Sequence, residues 1–366
     1  MKNPLRLLLH LAVLISFVIL LGTGCRTLGI GIETADHGHD HEHEHEADHT
    51  HSHDHEHEHE ADHAHTEVLP HLTPVSLADG ELLQVVATTS IVADVVSQVG
   101  GSHISLTQLM PLGVDPHAFE PTPRDVAAIA DAHVVFINGA GLETFLDALL
   151  ENVGDVPIVP VSAGIELLPF EADHHHGDDD HADDDHHHHE GEGDPHVWFD
   201  PNQVMVWVHN IEAALSDLDP QHVDSYTANA EAYEAELEAL DDWIRVEVAR
   251  IPEVNRKLVA DHALLTYFAA QYGFEQVGAV IPATTTLAEP SAQQLAELQE
   301  VIGEFDVSAI FVGQAVNPRL AEQVAADTGT ELVSIYTESL SEAGGPAGTY
   351  LAFMRYNVAA IVEALR

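Results

Sequence analysis

A single cysteine, Cys25, occurs among 366 residues. That excludes a disulfide framework and any zinc or iron–sulfur site built from several thiolates. Basic residues are scarce as well, with 11 Lys and Arg against 62 Asp and Glu. Proteins grip nucleic-acid backbones with Lys and Arg, which displace the condensed counterions, so a formal charge of −51 excludes a nucleic-acid partner. Aromatic residues make up 6% of the chain, too few for a base-stacking surface. No His-Glu-X-X-His helix occurs in the sequence, and no serine-centred nucleophile motif is evident.

Histidine is plentiful, at 30 residues. Residues 36–65 hold 13 His and 11 acids, residues 171–194 hold 8 His and 11 acids, and neither tract contains Lys or Arg. Imidazole beside carboxylate is donor chemistry for divalent metals. Alternating His-X-His runs can hold several ions weakly, or serve as solvated spacers. The rest of the chain is also acidic, which draws cations towards its surface but says nothing about its fold.

Lys2 and Arg6 precede an apolar run over residues 7–21, broken only by His10 and Ser16. That length suits the core of a signal peptide and is short for a membrane-spanning helix. The run ends in Leu-Leu-Gly-Thr-Gly before Cys25. This resembles a bacterial lipoprotein signal, in which the cysteine is lipidated and begins the mature chain, although Gly22 departs from the Leu such signals favour. Residues 1–25 are therefore expected to be a signal peptide, with the mature protein extracytoplasmic and anchored to the membrane through Cys25.

Residues 26–80 lack apolar periodicity and read as a His-, Asp- and Glu-rich disordered tether. From residue 82 the texture alternates. Strands are expected at 82–89, 104–110, 133–138 and 157–161, and helices at 91–99, 124–132 and 142–153. After the second tract comes a helix at 202–218. Residues 221–251 run without Gly or Pro and predict one long helix. Strands then recur at 257–260, 277–281, 309–312 and 331–335, with helices at 264–272, 291–305, 319–328 and 350–365. Alternation of this kind implies parallel βαβ units. The expected fold class is α/β: an N-terminal lobe over 82–218 carrying the loop 171–194, a linking helix over 219–252, and a C-terminal lobe over 253–366.

Four segments join metal-ligating residues to rigid flanks. Gly-Val-Asp-Pro-His117-Ala-Phe-Glu-Pro-Thr-Pro follows the second strand. Asp-Pro-His196-Val-Trp-Phe-Asp-Pro follows the second tract. Ala-Asp-His262 comes immediately after the first strand of the second lobe, and Tyr-Thr-Glu338-Ser-Leu follows its last. All lie at the carboxyl ends of strands or just beyond, where open α/β sheets place ligands. Two come from each lobe, so the cleft between the lobes is their natural meeting point.

The repeated Asp-Pro-His, the Glu-Pro-Thr-Pro, the Trp-Phe-Asp-Pro and the closing Met-Arg-Tyr-Asn together resemble one family, in order from residue 82 to the C-terminus. It is the zinc- and manganese-binding solute-binding proteins of bacterial ABC importers. The resemblance implies two mostly parallel lobes joined by one rigid helix, with one metal between them. It carries the family's ligands onto His117, His196, His262 and Glu338; the last is usually Asp in relatives. It also implies a permease and its ATPase as partners, no enzymatic activity and a monomer. Three imidazoles and a carboxylate suit Zn²⁺. The carboxylate at 338 leaves Mn²⁺ or dual specificity as the alternative, because oxygen donors suit the harder ion.

Among the neighbours, Asp115 and Asp194 are expected to form Asx turns, Glu120 to start a helix, and Trp198 and Trp207 to pack. Gln314, where relatives often carry Glu, is given no role. Two other functional classes have their own requirements. A zinc hydrolase needs an open coordination position and a nearby general base. A surface adhesin would hold metal only structurally.

Overall fold

The computed structural model describes residues 69–78, 80–146, 155–169 and 193–366. The signal segment, the first histidine tract, residues 170–192 and residues 147–153 of an expected helix lie outside them. In chain order the first lobe contains β1 (Leu83–Ala87), α1 (Ser90–Gly100), β2 (Ile104–Gln108), α2 (Pro123–Ala130), β3 (Val134–Ile137) and β4 (Ile158–Pro160). Two helices follow, α3 (Pro201–Leu218) and α4 (Val223–Val248). The second lobe contains β5 (Lys257–His262), α5 (Thr266–Tyr272), β6 (Glu275–Ile281), α6 (Ala292–Glu304), β7 (Ala309–Gly313), α7 (Arg319–Thr328) and β8 (Glu331–Ile335), and the chain closes with α8 (Tyr350–Leu365).

Each lobe is built on a four-stranded parallel sheet, ordered β2-β1-β3-β4 in the first and β6-β5-β7-β8 in the second. The inner strands Val-Val-Phe-Ile (β3) and Ala-Ile-Phe-Val-Gly (β7) are almost wholly buried, as parallel strands covered on both faces must be. In both sheets the chain leaves its first strand to one side and returns on the other. This opens a crevice at the carboxyl ends of β1 and β3, and another at those of β5 and β7.

The long helix forms because 26 residues run without a breaker, giving a rod of about 39 Å. Its buried stripe is Tyr226, Ala230, Tyr233, Leu237, Leu240, Ile244 and Val248, spaced by threes and fours. The helix packs on α1, α3 and α8. Helix α8 returns across the molecule, with Tyr350 Oη donating to the Trp198 carbonyl at 2.8 Å. Residues of both lobes, among them Trp198, Phe199, Tyr267, Phe268 and Phe353, belong to one apolar core.

Three expectations need correction. Residues 69–78, read as tether, pack on the first lobe: Leu72 is buried and Val75 N donates to the Leu218 carbonyl at 2.8 Å. Their apolar side chains are too few to show a period but enough to fill a groove. Leu142–Phe145 form turns rather than the start of a helix. Gly139, Ala140 and Gly141 take φ of 79°, 52° and 78°, a left-handed excursion that leads into turns at this point. Finally, β5 runs two residues further than expected, so His262 is the strand's last residue.

Candidate metal centre

Each of the three histidines has an aspartate one or two residues before it, and each aspartate accepts that histidine's backbone N–H. Asp115 Oδ1 accepts from His117 N at 2.9 Å and caps the short turn Pro116–Ala118. Asp194 Oδ1 accepts from His196 N at 2.9 Å and lies 2.7 Å from His196 Nδ1. Asp261 Oδ1 accepts from His262 N at 2.7 Å and lies 2.8 Å from His262 Nδ1. A carboxylate on Nδ1 places the proton there and turns Nε2 inward as a free donor. The other oxygen of Asp261 accepts from Gly313 N at 2.6 Å, across the β5–β7 crevice. Residue 313 must be glycine, because a Cβ there would collide with the Thr337 side chain.

The four residues carried over from the sequence converge. One donor atom from each of His117, His196, His262 and Glu338 lies within 4.8 Å of all the others. Glu338 Oε1 stands 2.9 Å from His117 Nε2, 3.4 Å from His262 Nε2 and 3.8 Å from His196 Nε2. The Nε2 atoms of His196 and His262 are 3.3 Å apart. Donors about 2.05 Å from a tetrahedral ion sit about 3.3 Å from one another, and the observed spacings bracket that value. His117 Nε2 and both oxygens of Glu338 are buried without a hydrogen-bond partner. Leaving such atoms unsatisfied is costly, and a cation at their centre would satisfy them together.

Burial alone would raise the Glu338 carboxyl, but the three imidazoles around it outweigh burial and hold it well below the usual carboxylate range. Burial opposes protonation of His262 too; Asp261 and Glu338 overcome it and lift the imidazole to about 10. His196 is raised in the same way, burial being outweighed by Asp194 and Glu338. The carboxylates thus attract positive charge strongly, whether as protons or as metal.

The His117 side chain is 6% exposed and those of His196, His262 and Glu338 are 0%, so among the described residues the cluster is nearly closed to solvent. A cavity of about 290 Å³ borders it, lined by Leu112, Gly113, Gln314, Tyr336, Glu338 and Glu342. Trp198 packs edge-on against His196, and its Nε1 donates across the lobes to the Thr337 carbonyl at 2.9 Å. It therefore does more than pack. Trp207 is core, with Nε1 on Ser162 Oγ. Glu120 is exposed, and Asp125 takes the helix-start role by accepting from Thr122 N.

Sequence reasoning treated Asp194 as a turn-former and passed over Asp261, Asn138 and Glu143. Glu143 accepts from Thr88 Oγ1 at 2.7 Å, Asn138 N at 2.7 Å and Gly139 N at 3.0 Å, which fixes the left-handed turn. Asn138 Nδ2 then donates to the carbonyl of Pro195, the residue before His196, at 3.1 Å. The aspartates had a legible signal, since each precedes a candidate ligand by one or two positions. Asn138 and Glu143 lie more than fifty residues from His196 and had none.

Comparison with known proteins places the chain in context. Residues 85–364 match the family described as "Zinc-uptake complex component A periplasmic". The manganese-binding lipoprotein MntA of Halalkalibacterium halodurans is 36% identical over 289 residues, covering 78% of this chain and 90% of that protein. The manganese ABC transporter substrate-binding lipoprotein PsaA of Streptococcus mitis is 30% identical, covering 79% of this chain and 91% of that one. Among solved structures, the periplasmic zinc-binding protein TroA of Treponema pallidum aligns with a TM-score of 0.67 and 28% identity, over 78% of this chain and 99% of its own. These relatives are binding proteins rather than enzymes. The chain belongs to the zinc-uptake component A family, the extracytoplasmic metal-binding receptors of ABC importers.

Proposed function

We propose that His117, His196, His262 and Glu338 are the ligands of a single transported ion, and that the receptor takes manganese as well as zinc. Convergence of three Nε2 atoms and an orphaned carboxylate in a buried crevice carries the reading. The donor set points first to zinc, since three imidazoles and a carboxylate suit a tetrahedral site, with manganese or dual use as the alternative. Two observations favour dual use. Both oxygens of Glu338 lack partners and can be offered together, adding an oxygen donor for an ion that accepts more than four. The relatives at 36% and 30% identity are named for manganese.

Four protein ligands leave no open position for a reacting water, which suits capture and release rather than hydrolysis. Acidic surface draws cations in, and the ion passes to a permease driven by a cytoplasmic ATPase. Lipidation at Cys25 holds the receptor, as a monomer, at the outer face of the membrane. The histidine tracts concentrate ions weakly nearby.

Elemental analysis and titration of the purified mature protein test the site, and metal accumulation in cells lacking the gene tests the cargo. One tight ion per chain is expected for either metal, with zinc displacing manganese in vitro as the Irving–Williams order requires. Cells lacking the receptor should lose manganese uptake. Absence of a stoichiometric tight site, or one that survives His262→Ala, overturns the ligand assignment.

A further inference from the structure

Tyr267 lies on α5, five residues beyond His262, and its ring is 2% exposed. Its hydroxyl crosses from the second lobe to the first, where it meets two chain segments at once. It donates to the Asp194 carbonyl at 2.8 Å and accepts from Leu168 N at 3.0 Å. Those segments are themselves paired, with Asp194 N donating to the Leu168 carbonyl at 2.9 Å. The three hydrogen bonds form a closed clasp at the point where the chain leaves the first lobe towards residue 170 and returns at residue 193. Asp194 is also the residue whose carboxylate holds both the backbone and Nδ1 of His196.

A covalent and hydrogen-bonded path therefore runs from His262 through α5, the Tyr267 hydroxyl and Asp194 to His196. It links one imidazole of the second lobe to one of the first without passing through the metal position. We infer that Tyr267 is a positioning residue: its hydroxyl ties the orientation of His196 to the second lobe. The inference rests on the ligand set proposed above and adds a residue that touches no ion. Without the hydroxyl, the Asp194 backbone keeps its bond to Leu168 and its carboxylate keeps Thr266, but the direct tie between its carbonyl and the second lobe is gone. The site would still assemble and capture metal, but it would release the ion sooner.

Tyr267→Phe removes the hydroxyl and keeps the ring. Tyr226→Phe is the control. It also removes a buried hydroxyl that donates to an aspartate, Asp219 at 2.9 Å, but on α4 and away from the ligands. Chelator chase of the metal-loaded full chain reads the off-rate, stopped-flow mixing reads the on-rate, and the cobalt(II) spectrum reads ligand geometry. Tyr267→Phe should raise the off-rate about tenfold with the on-rate unchanged, and should alter the cobalt bands. Tyr226→Phe should leave all three as in the wild type. An unchanged off-rate in Tyr267→Phe, or equal changes in both variants, overturns the inference. Failure of the wild-type chain to hold one tight ion would instead overturn the ligand assignment itself, so the two failures are distinguishable.

Discussion

One oxygen of Asp194 accepts two hydrogen bonds from His196, from its backbone N–H at 2.9 Å and from Nδ1 at 2.7 Å. The first fixes where the residue starts and the second fixes how its ring is turned, so Nε2 has little freedom left. Asp261 repeats the device for His262. An imidazole held by its outer nitrogen is already oriented before an ion arrives, and it is also more basic towards that ion.

Asp194→Ala should therefore lower metal affinity about 10–100-fold while circular dichroism stays that of the wild type. The truncation leaves His196 Nδ1 buried and free to take the wrong tautomer. Titration at constant pH measures the loss, and an affinity equal to the wild type's would remove Asp194 from the support of the ion.

Ligation needs neutral imidazole, whereas the metal-free protein holds His262 protonated up to about pH 10. Binding must therefore expel that proton, and affinity should rise by about tenfold per pH unit for each proton displaced between the ordinary histidine range and pH 10. Stability of the metal-free fold runs the other way. A raised imidazole contributes stability fully present below 6.5, the unfolded value, and lost as pH rises through the folded value near 10. Calorimetry in two buffers of different ionisation enthalpy counts the released protons. A proton count of zero at pH 7.5 would contradict the electrostatics of the site.

Much of this was legible in the sequence because its signals were local. The strands of both lobes show as apolar runs, α4 as a breaker-free span, and the three histidines that cluster with Glu338 as Asp-Pro-His or Asp-His. What escaped depends on side chains that meet only after folding. Glu143 looks like any helical acid until the left-handed turn at Gly139–Gly141 presents two backbone N–H groups to it. The apolar residues at 69–78 have no period because they fill a groove beside Leu218 rather than form an element. The structure also bears on the reach of Glu338, one methylene longer than the Asp of relatives. Its Oε1 stands 2.9 Å from His117 Nε2 and faces the other two imidazoles, while Oε2 is buried without a hydrogen bond.

That reach makes Glu338 the residue through which metal preference should be adjustable. Glu338→Asp draws the carboxylate back and should weaken manganese more than zinc, because zinc is content with one oxygen and three nitrogens. Glu338→Gln removes the charge and should abolish tight binding of both. Competition titrations read the ratio, and equal weakening of both metals by Glu338→Asp would exclude the carboxylate as the source of discrimination.

Glu143 is fully buried, and burial outweighs its hydrogen bonds from Thr88, Asn138 and Gly139 to lift its carboxyl from 4.5 to about 7. Between those values the folded protein keeps a proton that the unfolded chain has lost, so stability falls as pH rises from 4.5 to 7 and is flat above. The loss attributable to this residue is about 3 kcal/mol. Denaturant melts of wild type and Glu143→Gln across that window isolate it: the variant should lack the slope, and an equal slope in both would assign it elsewhere.

Release of the ion has to occur without a free hinge. Trp198 Nε1 binds the Thr337 carbonyl, Leu340 N binds Ser90 Oγ at 2.9 Å, and Gly113 N binds Ser339 Oγ at 2.8 Å, all between the lobes and beside the ligands. Thr286 Oγ1 adds a bond to Asp115, the residue that caps the His117 turn. One apolar core runs through both lobes, and opening it widely would expose Trp198, Phe199 and Phe353 to water, at about 25 cal/mol for each Å² uncovered. Metal loss should therefore move the lobes by a few degrees and shift residues 112–113 and 336–342, which line the cavity. Crystals grown with and without metal measure the rotation directly. A rotation of tens of degrees would mean that the shared core parts, and with it the argument that the long helix and its packing hold the lobes at nearly fixed orientation.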